Sequence, residues 1–303
     1  MALKDLSAFT PQEYKTFLDS FDTVLTDCDG VLWMGNDIIS TAPDVMNRFK
    51  SMGKKVFYVT NNSTKTRDEF VQKCKALGFN STKEEIVSTA HLTANYLKSQ
   101  NFNKKVYIVG SSGIAKELDN VGIKNFGVGP DPMTTNMTKL VTEVKLEPDV
   151  GAVVVGFDEH FSLPKMLKAA TYLEQKGSLF IATNTDERFP TDTHIMPGTG
   201  SFVAAIRTCA ERDPVIMGKP EAYIREYLIK EHKIDPSRTL MIGDRCNTDI
   251  LLGTRCGFQT LLVLTGVTKL EEAKKWKESK DKDLNDLVPD YFTEKIGDLL
   301  PHM

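Results

Sequence analysis

Two aspartates one residue apart close a short apolar run, Phe21-Asp22-Thr23-Val24-Leu25-Thr26-Asp27-Cys28-Asp29-Gly30. Side chains alternate along a strand, so Asp27 and Asp29 share a face and Cys28 points away. Gly30 lets the chain turn sharply after them. Two carboxylates at ~5 Å repel by ~1 kcal/mol in water and by roughly 3 at an effective dielectric of about 20. A cation between them removes that cost, and ligands that are all oxygen favour Mg²⁺. Taken alone, Asp-x-Asp also describes a solvated loop.

Three further clusters carry chemistry. Thr60-Asn61-Asn62-Ser63 offers hydroxyl and amide donors. With free N–H groups at a helix start, such donors hold a phosphate, although they also make ordinary turns and caps. Lys219 stands between Gly218 and Pro220, a rigid setting for a cation that would otherwise be an exposed loop lysine. Gly243-Asp244 repeats the opening logic, and Asp249 follows one turn later at a helix start, where Asp is often only a cap. A weaker signal is Pro197-Gly198-Thr199-Gly200, a helix opening that suits either an anion or a tight turn.

These residues need elements to position them. Val24-Leu25, Val56–Val59, Val215–Met217 and Leu240–Ile242 are short apolar runs, each just before one cluster. They predict buried parallel strands, and ligands bind at the C-terminal edge of such a sheet. Thr10-Pro11-Gln12-Glu13 predicts a capped helix before the first strand. Met34 to Ile39 predicts a hairpin turning at Gly35-Asn36, a flap over the carboxylates. Residues 42–52 read as a helix with Val45, Phe49 and Met52 on its apolar face, and 269–282 as one charge-rich helix. From Lys105 the strand–helix rhythm restarts without an Asp-x-Asp of its own, so a second α/β domain is expected inside the first. The expected division is a discontinuous core over 1–103 and 212–303, with 104–211 inserted.

Composition narrows the class. The 303 residues are 41% apolar and 26% charged with a net charge of −3, which gives no global pull toward nucleic acid or membrane. No run approaches the ~20 apolar residues of a membrane span. The stretch from Met1 to Leu6 lacks a signal-peptide core. Five cysteines without Cys-x-x-Cys spacing speak against zinc and for a reducing, cytoplasmic setting.

The ordered set resembles the haloacid dehalogenase-like phosphohydrolases. Their four motifs match Asp27-Cys28-Asp29-Gly30-Val31, Thr60-Asn61-Asn62, Gly218-Lys219-Pro220 and Gly243-Asp244-Arg245-Cys246-Asn247-Thr248-Asp249. The insertion is similar to the cap of the branch containing phosphoglycolate phosphatase, pyridoxal phosphate phosphatase and 4-nitrophenylphosphatase. The resemblance implies a doubly wound, Rossmann-like parallel-sheet core and a substrate-selecting cap. It implies Asp27 as nucleophile and Asp29 as acid and base. Mg²⁺ would be held by Asp27, the backbone carbonyl of Asp29, and Asp244, with Asp249 acting through water. Thr60, Asn61, Asn62 and Lys219 would bind the phosphoryl group. Relatives acting on pyridoxal phosphate carry His before the loop proline, where this chain has Phe189-Pro190, so Thr183–Pro190 is closer to the phosphoglycolate phosphatase pattern. Arg188 either pairs with a substrate carboxylate or is a surface arginine. The expected substrate is a small phosphorylated metabolite, 2-phosphoglycolate or glycerol 3-phosphate. Pyridoxal 5′-phosphate and phosphotyrosyl protein are the alternatives, and a homodimer through the cap is expected. The rival from another class is a receiver-like phosphoacceptor, which Asp29 opposes because a built-in acid and base would hydrolyse the acyl phosphate.

Overall fold

Apolar runs too short for helices become buried strands here, and both of their faces are covered, as parallel sheets require. The computed structural model describes residues 3–133, 136–189 and 194–303. In chain order the strands are β1 (Lys4–Asp5), β2 (Thr23–Thr26), β3 (Trp33–Met34), β4 (Asp37–Ile38), β5 (Lys55–Thr60), β6 (Ile86–Ser88), β7 (Lys105–Val109) and β8 (Asn125–Phe126). They continue with β9 (Val150–Val155), β10 (Leu179–Ala182), β11 (Arg188–Phe189), β12 (Met196–Pro197), β13 (Val215–Ile216), β14 (Thr239–Gly243), β15 (Gln259–Val263) and β16 (Tyr291–Thr293). The fold is α/β with parallel sheets, as expected from the alternation.

The chain forms two compact units, and the second interrupts the first in sequence. The first comprises residues 1–60, 68–87 and 219–303. Its sheet runs β1-β16-β15-β14-β2-β5-β6. At its centre β2 pairs in parallel with β14 and β5, with Thr23 opposite both Thr239 and Lys55. One further bond, from the Asp27 amide to the Ile242 carbonyl at 2.8 Å, carries the ladder past β2. It ties Asp27 to the strand end that delivers Asp244.

The predicted helix start is realised over Pro11–Asp19. Thr10 Oγ1 accepts from the Glu13 amide at 3.3 Å and Glu13 Oε2 accepts from the Thr10 amide at 2.8 Å. Tyr14, Phe17 and Leu18 are its buried face. The helix Ala42–Ser51 buries Val45, Met46 and Phe49. Met52, expected on that face, is exposed because the helix has ended before it. β3 and β4 form the expected hairpin, with Gly35 at positive φ in its turn. The charge-rich stretch is two helices rather than one, Leu270–Glu278 and Lys282–Asn285. Ser279 is extended between them, and Asn285 Nδ2 donates to the carbonyls of Trp276 and Ser279 at 2.9 and 3.0 Å.

The second unit comprises residues 61–67 and 88–218. Its sheet runs β13-β10-β9-β7-β8 around β9, whose six residues are all buried. This division departs from the expected boundaries. β13 pairs with β10, Val215 opposite Ile181, and so joins the second sheet. The helix Thr89–Ser99 goes with the second unit as well, as does the 61–67 loop, whose Arg67 amide donates to Glu117 Oε1 at 2.7 Å. A hydrophobic pattern marks strands and helices but not which sheet a short edge strand will join. The same unit holds a lysine the pattern would leave outside: Lys165 Nζ meets Asp158 Oδ2 at 2.6 Å with both side chains buried. No helix among the described residues is long and apolar enough to cross a membrane.

Candidate active site

Lys219 is the centre of the acidic cluster. Its Nζ lies 2.7 Å from Asp27 Oδ1, 2.8 Å from Asp249 Oδ1, and 3.2 Å from the Val59 carbonyl near the end of β5. It is only 2% exposed, so it is not the solvated loop lysine that composition alone would suggest. Carboxylate oxygens of Asp27, Asp244 and Asp249 come within 4.8 Å of one another. Three ionised carboxylates and one ammonium leave two negative charges in a buried place. Burial pushes the Asp27 carboxyl well above its usual range, and Asp249 and Asp244 push the same way while Lys219 opposes them. Asp244 is pushed up to about 6 by burial and by Asp249, against the Val267 amide and Lys219. Burial pulls the Lys219 ammonium down, but Asp249 and Asp27 outweigh it and hold it above its ordinary value.

The uncompensated charge and the all-oxygen donor set fit a hard divalent cation of the Mg²⁺ type. Asp27, Asp244 and Asp249 are the side chains that would hold it. A measurable consequence follows from Asp244. Between the usual carboxylate range and about pH 6, the metal-free folded chain keeps a proton that the unfolded chain has lost. Its contribution to stability therefore falls as pH rises through that window. A cation needs the ionised form, so saturating Mg²⁺ is expected to raise the thermal midpoint more at about pH 7.5 than at about pH 5. Calorimetric scans with Mg²⁺ and with a chelator check this. An equal shift at both pH values, or a larger one in acid, contradicts the assignment.

Asp29 is set apart from this cluster by its own partner. Trp33 Nε1 donates to its Oδ1 at 2.9 Å, which anchors the β3–β4 hairpin to the carboxylate. Around Asp244 and Asp249 the backbone approaches closely. At Gly266 and Gly30 a Cβ would stand 1.8 and 2.6 Å from Asp244 Oδ2, and at Gly243 one would stand 2.1 Å from Asp249 Cβ. Gly30 also has φ +85°. The Val267 amide donates to Asp244 Oδ2 at 2.9 Å, and the Arg245 amide to Asp249 Oδ2 at 3.1 Å. Asp249 stands within a π-helical turn, Cys246–Ile250, and not at the head of an ordinary helix. Thr265-Gly266-Val267, after β15, is a part of the site that reading the sequence missed. Its work is done by amide groups and by a lack of side chain, and Thr-Gly-Val looks like any loop.

Thr60 ends β5 and is buried. Asn61 and Asn62, expected as phosphoryl ligands, belong to the second unit. Asn62 Oδ1 accepts from the amide and hydroxyl of Thr64 at 2.8 and 2.7 Å, the ordinary turn use of an asparagine. Asn61 Nδ2 donates to Asp186 Oδ2 at 2.8 Å. Arg188 and Phe189 form β11, paired with β12. Arg188 is exposed, and Phe189 meets the Phe157 ring edge-on at 4.7 Å. Pro190 lies outside the described residues. Gly198 and Gly200 open the helix Thr199–Ala210 and sit against the Asp186 and Thr185 carbonyls, where a Cβ would come within 2.3 and 2.4 Å. That is the tight-turn use of the Pro-Gly-Thr-Gly segment. Burial pushes the thiols of Cys28 and Cys246 up, Cys246 to about 12, so neither is a ready nucleophile.

A parallel sheet whose adjacent strands β2 and β14 lead into Asp27, Asp244 and Asp249, with a buried lysine bridging Asp27 and Asp249, defines a class of protein. The chain belongs to the haloacid dehalogenase-like hydrolases. The model of that family, described as haloacid dehalogenase-like hydrolase, matches residues 24–124, and a second of the same kind matches 216–294. The chain is 42% identical over 296 residues to human glycerol-3-phosphate phosphatase, covering 95% of this chain and 92% of that one. It is 40% identical to chloroplastic phosphoglycolate phosphatase 1A of Arabidopsis thaliana, covering 93% of this chain and 77% of that one. Among solved structures it is similar to glycerol phosphate phosphatase from Mycobacterium tuberculosis in complex with magnesium. There the TM-score is 0.76 at 27% identity, over 93% of this chain and 77% of that one. Family and relatives make it a phosphoric monoester hydrolase.

Proposed function

We propose that this chain removes phosphate from a small acidic or polyol metabolite, 2-phosphoglycolate or glycerol 3-phosphate, with Mg²⁺ as its cofactor. The observation that carries the reading is Lys219, buried and bridging Asp27 and Asp249 beside Asp244. Phosphoryl transfer needs positioning and charge neutralisation more than covalent help. Asp27, placed at the end of β2, attacks phosphorus through a carboxylate oxygen as the bond to the leaving oxygen breaks, leaving a phosphoaspartyl group. Asp29, held by Trp33, gives its proton to that leaving oxygen. In the second half Asp29 takes a proton from water, whose oxygen attacks phosphorus and returns Asp27 as a free carboxylate. Lys219, Thr60, Asn61 and Asn62 hold the phosphoryl oxygens throughout. Asp27, the Asp29 carbonyl, Asp244 and, through water, Asp249 would hold Mg²⁺, which would supply neutralisation of the charge that builds on those oxygens.

The second unit is the substrate-selecting cap in this reading. Arg188 is exposed on β11, which leaves its guanidinium available to pair with a substrate carboxylate. Phe189, against Phe157, stands where relatives acting on pyridoxal phosphate carry His. The same unit exposes Met137 and Val141, which suits dimerisation through it. Five cysteines, none in a disulfide, suit action in the reducing cytoplasm.

The test is kcat/KM with Mg²⁺ for 2-phosphoglycolate, glycerol 3-phosphate, pyridoxal 5′-phosphate and a phosphotyrosyl peptide, side by side. The first two are expected to exceed the others by about tenfold or more. A preference for pyridoxal phosphate or the peptide overturns the substrate reading and leaves the hydrolase standing. In the same assay, phosphate release that stops at one equivalent of enzyme favours the receiver-like phosphoacceptor.

A further inference from the structure

Asp186 stands in the loop after β10, and the mechanism gives it no part. The structure nonetheless aims two side-chain amides at one of its oxygens. Oδ2 accepts from Asn61 Nδ2 at 2.8 Å and from Asn184 Nδ2 at 2.6 Å. We propose that Asp186 is a positioning residue that holds Asn61 in its phosphoryl-binding orientation. It would thereby tie the loop after β10, where substrate choice is read, to the loop after β5. The inference rests on the reading of Asn61 as a phosphoryl ligand.

A carboxylate only accepts, so it sorts an amide: the nitrogen of Asn61 faces Asp186 and the oxygen faces away. Gly218 completes the sorting. A Cβ there would stand 2.7 Å from Asn61 Oδ1, so the amide oxygen packs against bare backbone. The Asn61 carbonyl is held as well, accepting from Thr89 Oγ1 at 2.9 Å. Asp186 is fixed in turn. Asn184 is oriented by Thr183 Oγ1, which donates to Asn184 Oδ1 at 2.8 Å and lies 3.3 Å from Ser63 Oγ. The Asp186 carbonyl accepts from the Gly200 amide at 2.9 Å, and Gly198 and Gly200 press on it without side chains. Ser63, Thr183 and Asn184 are buried, so this charge-assisted network is shielded from water. An anionic carboxylate is no ligand for a phosphoryl group. Its use here is through the amide it orients.

The experiment is a double-mutant cycle with Mg²⁺ and 4-nitrophenyl phosphate. It uses Asp186→Ala, Asn61→Ala and the pair, with the inhibition constant of inorganic phosphate and the thermal midpoint measured for each. Both single variants are expected to lose kcat/KM, Asp186→Ala by about tenfold, with weaker inhibition by phosphate. The pair is expected to be no worse than Asn61→Ala alone. Losses that multiply in the pair, or an Asp186→Ala with a lowered midpoint but unchanged phosphate inhibition, overturn the inference and leave Asn61 as a ligand. An Asn61→Ala with wild-type kcat/KM overturns the phosphoryl-ligand reading itself, and the inference with it. Should Asp186→Ala not fold, Asp186→Asn replaces it in the cycle. It keeps one neutral acceptor and is expected to lose less, again with nothing added in the pair.

Discussion

Asp27→Asn is expected to cut turnover by roughly 10⁴-fold or more while the chain stays folded. The amide removes the attacking oxygen's charge and leaves its size and its place at the end of β2. The backbone bond from residue 27 to Ile242 at 2.8 Å does not involve the side chain, so the strand end keeps its position. Stability points the same way. Burial, Asp249 and Asp244 all raise the Asp27 carboxyl, so ionising it costs free energy in the metal-free chain. The Asp27→Asn variant is therefore expected to melt no lower than the parent in chelator, while gaining less from Mg²⁺. Rapid-quench assays with a ³²P-labelled ester check the role directly: the parent accumulates acid-stable protein-bound phosphate and the variant does not. Turnover within tenfold of the parent excludes Asp27 as the nucleophile.

Lys219→Met is expected to be the most damaging substitution for stability and activity together. Methionine fills the lysine's stem but leaves Asp27 and Asp249 facing each other with no ammonium between them, at 2.7 and 2.8 Å from where Nζ stood. Removing one partner of a buried pair costs about 3–5 kcal/mol. Part of that is expected to return when the cation is added, because Mg²⁺ would neutralise the same carboxylates. Activity is not expected to return, since in the proposed mechanism the phosphoryl oxygens lose a charged donor worth roughly 10²–10³-fold. Denaturant titrations with and without Mg²⁺, beside kcat measurements, separate the two effects. A Lys219→Met chain as stable in chelator as the parent would falsify the bridging role.

Much of this site was legible because each group ends an apolar strand. Asp27 and Asp244 each follow an apolar run that pairs in the first sheet, and a parallel sheet brings such ends to one edge, whereas the run before Lys219 is β13 of the second sheet. The rest was hidden for physical reasons. Gly266 and Val267 act through backbone, which carries no residue-type signal. Asn62 reads equally as ligand or turn former, and the turn bonds to Thr64 appear only in three dimensions. β1 and β13 are two residues long, too short for a period of two to register, so the sheet joined by Val215 and Ile216 was not readable. The buried Lys165–Asp158 pair breaks the rule that charges lie outside, and no pattern of apolar residues announces it.

The bond from the Trp33 indole to Asp29 has an optical consequence. The chain has two tryptophans, and only Trp33 is fully enclosed, against Phe79 and the Lys73 ammonium. Indole emission shifts with the charge and hydrogen bonding at its N–H. The carboxylate proposed as acid and base is thus hydrogen-bonded to a fluorophore already in the chain. A change of emission during turnover, followed in stopped flow without a dye or a coupled enzyme, is therefore the expected signature of events at Asp29.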